Sequence, residues 1–251
     1  MVRPGRRMWL WSLAPAHAGD GPAAVEHLCA AAIAATATDG AAVAVALEAA
    51  PRETIYSSNR IVSEVEELSL TLGEGPCVDA LDGGLERVPD LCAGRCLARW
   101  PVFAPAAVQA GVRAIFALPL QIGAIRLGVL DLYRGEPGDL DRGQLRDALM
   151  LADTACALLL DATEQDVPQV PGRVPEPAGL QHPEVHQATG MVSVQLGLSA
   201  ALALIRLRAY AYAHERRLRD VARDVVARRL RFGHGDIAHG SQPDGHRSDG
   251  D

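Results

Sequence analysis

The sequence predicts an α+β domain, in which an antiparallel sheet carries helices, followed by a small all-α unit of three helices. Two observations lead to this prediction. Between residues 20 and 163, helical patterns alternate with short apolar runs typical of strands. Between residues 180 and 232, three amphipathic helical patterns follow one another with no strand pattern between them. A chain of 251 residues has room for both units.

The first part of the α+β domain alternates helices with short strands. Apolar residues recur at helical spacing over 23–38 and again over 64–72. The other elements predicted here are strands over 41–47 and 53–57, a helix from Pro76, an edge strand over 87–91 and a helix over 100–111. Pro89 places the strand over 87–91 at the edge of the sheet, because proline has no amide hydrogen to donate to a neighbouring strand.

The second part of the α+β domain predicts a β-hairpin and a long helix. Strongly apolar runs over 112–122 and 124–133 are separated by Gly123, which suits a tight turn. The helix over 140–163 carries Leu145, Leu149 and other apolar residues on one side. We expect the sheet to be antiparallel, with helices on one face or at its ends.

The segments outside the two units predict little buried structure. Residues 1–19 imitate a secretion signal, but Pro15 interrupts a short apolar run, so we expect a disordered extension in a chain that starts nearer Met8. Residues 164–179 contain four prolines and form a stiff linker between the domains. Residues 233–251 are rich in Gly, Asp and His, and we expect a disordered tail and no metal site there.

Five cysteines lie at scattered positions, an odd number that argues against a disulfide framework. Reduced thiols in a cytoplasmic protein fit this pattern. Cys77 directly follows Pro76, where a helix is predicted to begin. A helix start could lower the pKa of its thiol and make it a redox sensor, while a buried structural thiol is the alternative.

The C-terminal unit is strongly basic within an acidic chain. Residues 199–232 contain nine Arg and three acidic residues, a net charge of +6, whereas the whole chain carries −7 and the remainder therefore −13. Lys is absent from the entire sequence, so the abundance of Arg alone says little, and the position of the Arg residues carries more weight. A basic patch on an acidic protein indicates an anionic partner, and nucleic acid leads the candidates.

Several short motifs in the C-terminal unit resemble the ANTAR domain, a three-helix RNA-binding module of bacterial transcription antiterminators. The motifs are Gln187-Ala188-Thr189-Gly190-Met191, Ala203, Leu207-Arg208, Ala211, Arg216-Arg217-Leu218 and Val221-Ala222. The resemblance implies binding of RNA hairpins and prevention of transcription termination. Many members carry Lys where this chain has Thr189, which puts any RNA contact of that Lys in doubt here.

The α+β domain, over about residues 23–161, resembles the GAF domain, a bacterial sensory module that holds small ligands over its sheet. The motifs are Leu72-Gly73-Glu74-Gly75-Pro76-Cys77, Val88-Pro89-Asp90-Leu91, Arg99-Trp100-Pro101 and 128–133, Gly-Val-Leu-Asp-Leu-Tyr. They resemble GAF domains joined to ANTAR domains in actinobacteria. The resemblance implies an unidentified small-molecule ligand and names no cofactor.

The fold prediction is therefore an α+β GAF-like sensor domain followed by a small all-α three-helix ANTAR-like domain. Planar, permanently charged guanidinium groups suit phosphate. The predicted RNA-binding residues are Arg208, Arg216, Arg217, Arg219 and Arg223. A solvated face with internal ion pairs is the plainer alternative, since Asp220 and Asp224 precede Arg residues by three or four positions.

The predicted function is a signal-responsive RNA-binding regulator, with RNA hairpins as partners. The alternative is a protein-interaction module whose helical unit docks a partner protein, and DNA binding by a helix-turn-helix is weaker still. We expect no enzyme activity, because no nucleophile–base pattern, P-loop or metal-ligand cluster occurs in the sequence. We also expect a cytoplasmic homodimer with no membrane span.

Overall fold

The computed structural model describes residues 25–46, 52–165 and 182–233. Five strands and nine helices lie within these ranges. The strands are β1 (Gly40–Val45), β2 (Glu53–Ser57), β3 (Glu86–Val88), β4 (Ala114–Ile122) and β5 (Ile125–Arg134). The helices are α1 (Val25–Thr36), α2 (Arg60–Leu72), α3 (Pro76–Gly83), α4 (Gly94–Arg99), α5 (Phe103–Gln109), α6 (Arg142–Gln165), α7 (Pro183–Leu196), α8 (Ala200–Ala213) and α9 (Leu218–Val226).

The five strands form one antiparallel sheet in the order β2-β1-β5-β4-β3. The predicted hairpin of β4 and β5 is present, and Gly123 adopts φ +61° in its turn. Glycine suits this position because the left-handed region carries a steric cost for residues with a Cβ. β3 is a short edge strand that ends before Pro89.

Helices cover both faces of the sheet, so the expectation that they lie on one face or at its ends is wrong. One face packs on α1 and α6 through Phe116, Leu118 and Leu130. The other face packs on α2 and α5 through Ile115 and Tyr133. The sequence explains this arrangement, because nearly continuous apolar runs, as in β4 and β5, are typical of strands buried on both sides.

Two helical segments differ from the sequence prediction. α2 begins at Arg60, a full turn before the predicted start, because the side chain of Asn59 accepts a hydrogen bond from the Val62 amide at 3.0 Å. α4 occupies residues for which we predicted no element. It is a six-residue helix in which Cys96 is the buried residue, and it is too short to show a periodic pattern.

The C-terminal unit consists of three helices, as predicted. α7 ends at Gly197, which has φ +63°, and the hydroxyl of Ser199 accepts from the Leu202 amide at the start of α8. Their core is formed by buried apolar residues, namely Val185, Ala188, Val192, Leu196, Ala203, Leu207, Ala211, Leu218, Val221, Ala222 and Val225.

The domain boundaries remain predictions. The extension over 1–19, almost all of the linker over 164–179 and nearly all of the tail over 233–251 lie outside the described residues. Within the part of the chain that is described, no single helix is both long and apolar enough to cross a membrane. α7 and α8 together meet that criterion across a break at which they bend by 105°.

Candidate nucleic-acid interface

Helix α2 of the α+β domain also forms one wall of the C-terminal helical unit. Leu70 on α2 is buried in the same apolar cluster as Leu207 and Leu218. Beside it, the hydroxyl of Thr71 accepts a hydrogen bond from the Leu218 amide at 3.2 Å. Arg217, the N-cap residue of α9, has no side-chain cap of its own, so the other domain supplies one.

The carboxylate of Glu67 lies between two of the predicted RNA-binding arginines. Its oxygens are 3.1 Å from Arg219 Nε and 3.6 Å from Arg217 Nη1. These arginines flank the amino end of α9, where backbone amides and the helix dipole also favour an anion. The Glu67 side chain is only 10% exposed, whereas Arg219 is 32% and Arg217 53% exposed, so the ion pairs are partly exposed to solvent. A carboxylate from the first domain therefore lies between two arginines at the start of α9.

Arg208, another predicted RNA-binding residue, lies in the interface between the two domains. Its Nε donates to the Leu70 carbonyl at 2.9 Å, and its guanidinium lies against Gly73. Burial and the nearby Arg52 lower the pKa of Arg208 to about 10. An arginine held in this way is not part of an exposed cationic face in this conformation.

Arg216 and Arg223, the other two predicted RNA-binding residues, have carboxylate partners inside the helical unit. Arg216 Nη2 donates to Asp224 Oδ2 at 2.6 Å, and this contact lowers the pKa of Asp224. Arg223 lies 3.2 Å from Glu184 and 3.5 Å from Asp220.

All five predicted RNA-binding arginines are thus engaged, so they do not form one free cationic surface in this conformation. Four are paired with carboxylates and Arg208 with a carbonyl. Sequence spacing indicated the Asp220 pair, but the partners that matter most, Glu67 and Leu70, lie more than a hundred residues away.

A second contact between the domains involves strand β2. Glu53 is almost fully buried, and its carboxylate accepts from the His182 backbone amide at 2.5 Å. Its other oxygen lies 3.1 Å from His186 Nε2 on α7. The first helix of the helical unit and the start of its last helix are therefore both contacted by acidic side chains of the first domain.

Buried charges cluster beneath α2, a feature that the sequence analysis missed. Arg52 lies 3.0 Å from Glu66 and 3.6 Å from Asp131, and all three side chains are almost fully buried. Glu66 also accepts from Thr54 and from the Tyr133 hydroxyl. Burial, followed by the nearby Glu66, raises the pKa of Asp131 well above its usual value. A single Asp in an apolar strand was the only available signal.

Cys77 lies beside this cluster, and its environment is that of a buried structural thiol. Its Sγ is 2.9 Å from the Ser69 hydroxyl. Burial raises the pKa of the Cys77 thiol to about 12, against the lowering expected at a helix start. Redox sensing by Cys77 is untested, and this environment does not favour it.

The donor atoms of Glu66, Cys77 and Asp131 lie within 4.8 Å of one another, which is compatible with metal ligation in principle. The guanidinium of Arg52, however, already supplies positive charge to both carboxylates. With Asp131 protonated, as its raised pKa allows, the charges of Arg52 and Glu66 cancel, and the cluster fits a structural network better than a metal centre.

Two clefts of about 490 Å³ each open where the domains meet. Thr71, Leu72, Val102 and Tyr212 line both of them. One is bordered by Glu64, Glu67, Arg216 and Arg217, and the other by Glu74 and Arg208. The first cleft lies directly beside the ion pairs of Glu67, so an occupant of that cleft could alter the contact between the domains.

The two tyrosines of α8 have different surroundings, as expected from their spacing. Tyr210 stacks on His214 and meets Phe232 edge-on, so it belongs to the helical core. Tyr212 is 58% exposed and borders the clefts, in line with Ile205 and Leu202 on the same side of the helix. The second apolar side of α8 is thus only partly covered by the first domain.

Thr189 and Gly190, in the Gln187–Met191 motif of α7, have different surroundings. The Thr189 side chain is buried and donates to the Val185 carbonyl at 2.7 Å, so it makes no outward contact. Gly190 lies on the exposed side, and a Cβ there would meet nothing within 4 Å. A glycine inside a helix costs about 1 kcal/mol relative to alanine. No other helix of the described residues approaches Gly190 closely.

Comparison with known proteins identifies both units. Residues 180–226 match the family model of the ANTAR domain. The structure resembles the GAF domain of a phosphoenolpyruvate-protein phosphotransferase from Coxiella burnetii, with a TM-score of 0.50 and 13% identity over 65% of this chain and 98% of that one. No curated protein matches the chain.

Two further solved structures are similar at lower TM-scores. The GAF-B domain of DevS from Mycobacterium smegmatis gives 0.40, with 19% identity over 56% of this chain and 93% of that one. A sensor histidine kinase domain from Sinorhizobium meliloti 1021 gives 0.45, with 15% identity over 56% of this chain and 91% of that one.

The first domain therefore has the GAF fold, and the C-terminal unit is an ANTAR domain. The chain thus joins a domain of the GAF fold to a C-terminal unit that matches the ANTAR domain. The resemblance to the actinobacterial subgroup remains a prediction.

Proposed function

We propose that this protein is an RNA-binding regulator of transcription antitermination, in which the ANTAR domain binds RNA hairpins and the GAF domain controls access to its arginines. The ANTAR match and the +6 charge over residues 199–232 support RNA binding. The single observation that supports control by the GAF domain is the position of the Glu67 carboxylate between Arg217 and Arg219. Glu67 occupies the place that an RNA phosphate would take.

Control then follows from competition between a carboxylate and a phosphate for the same arginines. The closed state has the ion pairs of Glu67, the Thr71 cap and the buried Leu70 side chain. The ion pairs and the hydrogen bond contribute on the order of 1 kcal/mol each. A ligand that binds the open state more tightly by a few kcal/mol could therefore shift the equilibrium.

The proposal includes an unidentified small-molecule ligand, a homodimer and a cytoplasmic location. The cleft beside Glu67 offers the ligand a position from which to alter the domain contact. Native mass spectrometry of the freshly purified protein measures the mass of any retained ligand and the number of subunits together. A monomer with no retained ligand and no response to added metabolites would count against this part of the proposal.

Filter binding tests the RNA function. Full-length protein is titrated with a pool of RNA hairpins that share a stem and carry randomised loops, over a series of salt concentrations. If phosphate contacts matter, log affinity falls steeply with log salt. The double variant Arg217→Gln/Arg219→Gln should bind more weakly, with a salt slope smaller by about 1 for each lost contact.

The matched control is Arg87→Gln, which removes an equally ion-paired arginine from the GAF domain beside Asp139. This variant should bind RNA as the unmodified protein does. The RNA function is wrong if neither the unmodified protein nor the variant Glu67→Gln binds any hairpin more tightly than the bare duplex stem at any salt concentration.

A protein-interaction module is the second candidate, and one observation favours it. Leu202, Ile205 and Tyr212 form an apolar stripe on α8 that is about half exposed. Exposed apolar patches of this kind mark protein-binding surfaces. The charge-reversed variant Arg216→Glu/Arg217→Glu separates the two functions. It should abolish RNA binding, whereas a partner docked on the α8 stripe would still bind.

A further inference from the structure

A groove of about 550 Å³ lies on the outer face of α7. We call it the α7 groove, and its lining residues are Gln187, Gly190, Met191, Val194, Gln195, Arg228 and Arg231. It is a separate cleft from those at the domain junction, since it shares no lining residue with them. No GAF residue lines it, so it is accessible while the domains are in contact.

Gly190 forms part of the floor of the α7 groove. Its backbone is helical and does not require glycine, and a Cβ would meet no described atom within 4 Å. Neither conformation nor packing within the chain accounts for a residue that weakens the helix. Glycine does permit close approach of a ligand to the backbone, and the groove lies where that approach would occur.

Two arginines form one wall of the groove, and the fold brings them there. Arg228 has φ +58°, a conformation that turns the chain sharply after α9. The Phe232 amide then donates to Gln195 Oε1 at 3.1 Å, which fixes the returning segment on α7. Neither Arg228 nor Arg231 forms an ion pair with a described carboxylate, unlike the neighbouring Arg229 and four of the five arginines discussed above.

The other lining groups are apolar or carry amides. The side chain of Val194 is 84% exposed. Met191 lies one helical turn from both Gln187 and Gln195, so these three residues share one side of α7. Because Gln195 Oε1 already accepts from Phe232, its amide nitrogen remains to donate. The α7 groove therefore combines a small apolar floor, amide groups for hydrogen bonding and guanidinium groups that no described carboxylate pairs with.

We propose that the α7 groove binds one unstacked nucleobase of an RNA hairpin loop, with the neighbouring phosphates on Arg228 and Arg231. The inference rests on the proposed RNA function and assigns loop reading to a surface separate from the Glu67 site. Loop bases are read through their flat faces and hydrogen-bonding edges, and guanidinium groups suit phosphate. A helical peptide fits less well, because it needs several apolar pockets in a row, and only Met191 and Val194 offer apolar surface.

The test adds bulk to the groove with Gly190→Leu. Leucine is a better helix former than glycine, so the thermal unfolding temperature should stay the same or rise. Affinity for loop-bearing hairpins from the randomised pool should fall about tenfold, as expected for loss of one base contact. The matched control is Ala201→Leu, which adds the same side chain at an exposed position of α8 that lines none of the three clefts.

A second pair of variants tests the arginine wall. Arg228→Gln/Arg231→Gln should weaken hairpin binding and reduce the salt slope, whereas Arg206→Gln, which also removes an arginine with no described carboxylate partner, should do neither. Unchanged hairpin affinity in both Gly190→Leu and the double variant would overturn the groove assignment while RNA binding itself stands. If the unmodified protein and Glu67→Gln bind no hairpin, the proposed function fails first. If the unmodified protein binds an acidic protein that the Gly190→Leu variant does not bind, and both bind hairpins equally well, the groove would be assigned to a peptide instead.

Discussion

Glu67 Oε1 on the second helix of the GAF domain lies 3.1 Å from Arg219 Nε on the last helix of the ANTAR domain. The two residues are 152 positions apart in the sequence, and one carboxylate serves both Arg219 and Arg217. This relationship connects the GAF-fold domain directly to the basic end of α9. It also makes the predicted RNA-binding face a property of the contact between domains.

Glu67→Gln should raise the affinity of the full-length protein for hairpin RNA. The substitution keeps the size of the side chain but removes the negative charge that competes with phosphate at Arg217 and Arg219. We expect a gain of about fivefold, which corresponds to about 1 kcal/mol for a partly exposed ion pair. Filter binding at moderate salt measures it. The control Glu64→Gln removes an exposed charge one turn earlier and should change little, and equal gains in both variants would point to net charge alone.

Thr71→Val should loosen the contact between α2 and α9, whereas Thr71→Ser should not. Valine has nearly the shape of threonine but offers no oxygen to the Leu218 amide, so a cap worth about 1 kcal/mol is lost. Hydrogen exchange at the Leu218 amide measures the effect directly. Exchange should be faster in the valine variant and unchanged in the serine variant. Equal protection in all three proteins would show that the cap contributes nothing.

Cys92 should react with a thiol reagent in the folded protein, and Cys77 should react only after unfolding. Cys92 is exposed, whereas Cys77 is buried and has a thiol pKa raised to about 12. Mass spectrometry after brief labelling identifies the modified residue. Early modification of Cys77 by a mild oxidant, before any unfolding, would restore the redox-sensor hypothesis and contradict its placement here.

Asp131→Asn should flatten the pH dependence of folding stability. Because burial raises the pKa of Asp131, the native state keeps a proton that the unfolded chain releases. Stability is therefore highest below the unfolded pKa of about 4 and falls as the pH rises toward the raised pKa. Urea unfolding across this range should show the decline in the unmodified protein and not in the variant. The control Asp82→Asn removes a 93% exposed carboxylate, and the same flattening there would exclude Asp131 as the source.

The elements themselves were largely predictable because their signals are local. The β4–β5 hairpin with its Gly123 turn, the end of α7 at Gly197 and the Ser199 cap all follow from residues within a few positions of each other. The short helix α4 was missed since six residues carry no periodicity. The first turn of α2 was missed because its cap, Asn59, precedes the apolar pattern.

The sequence predicted which basic residues belong to the candidate site, but not which side chains they contact in the folded protein. The sequence alone determined two folding units, a basic C-terminal module and the motifs that identify it, since charge and short-range periodicity are properties of neighbouring residues. Only the tertiary structure decided that Glu67, Leu70 and Thr71 engage that module and that Arg228 and Arg231 pair with no carboxylate in the described part of the chain. The physical reason is that ion pairing and burial depend on which distant surfaces pack together, and no local pattern in the chain encodes that choice.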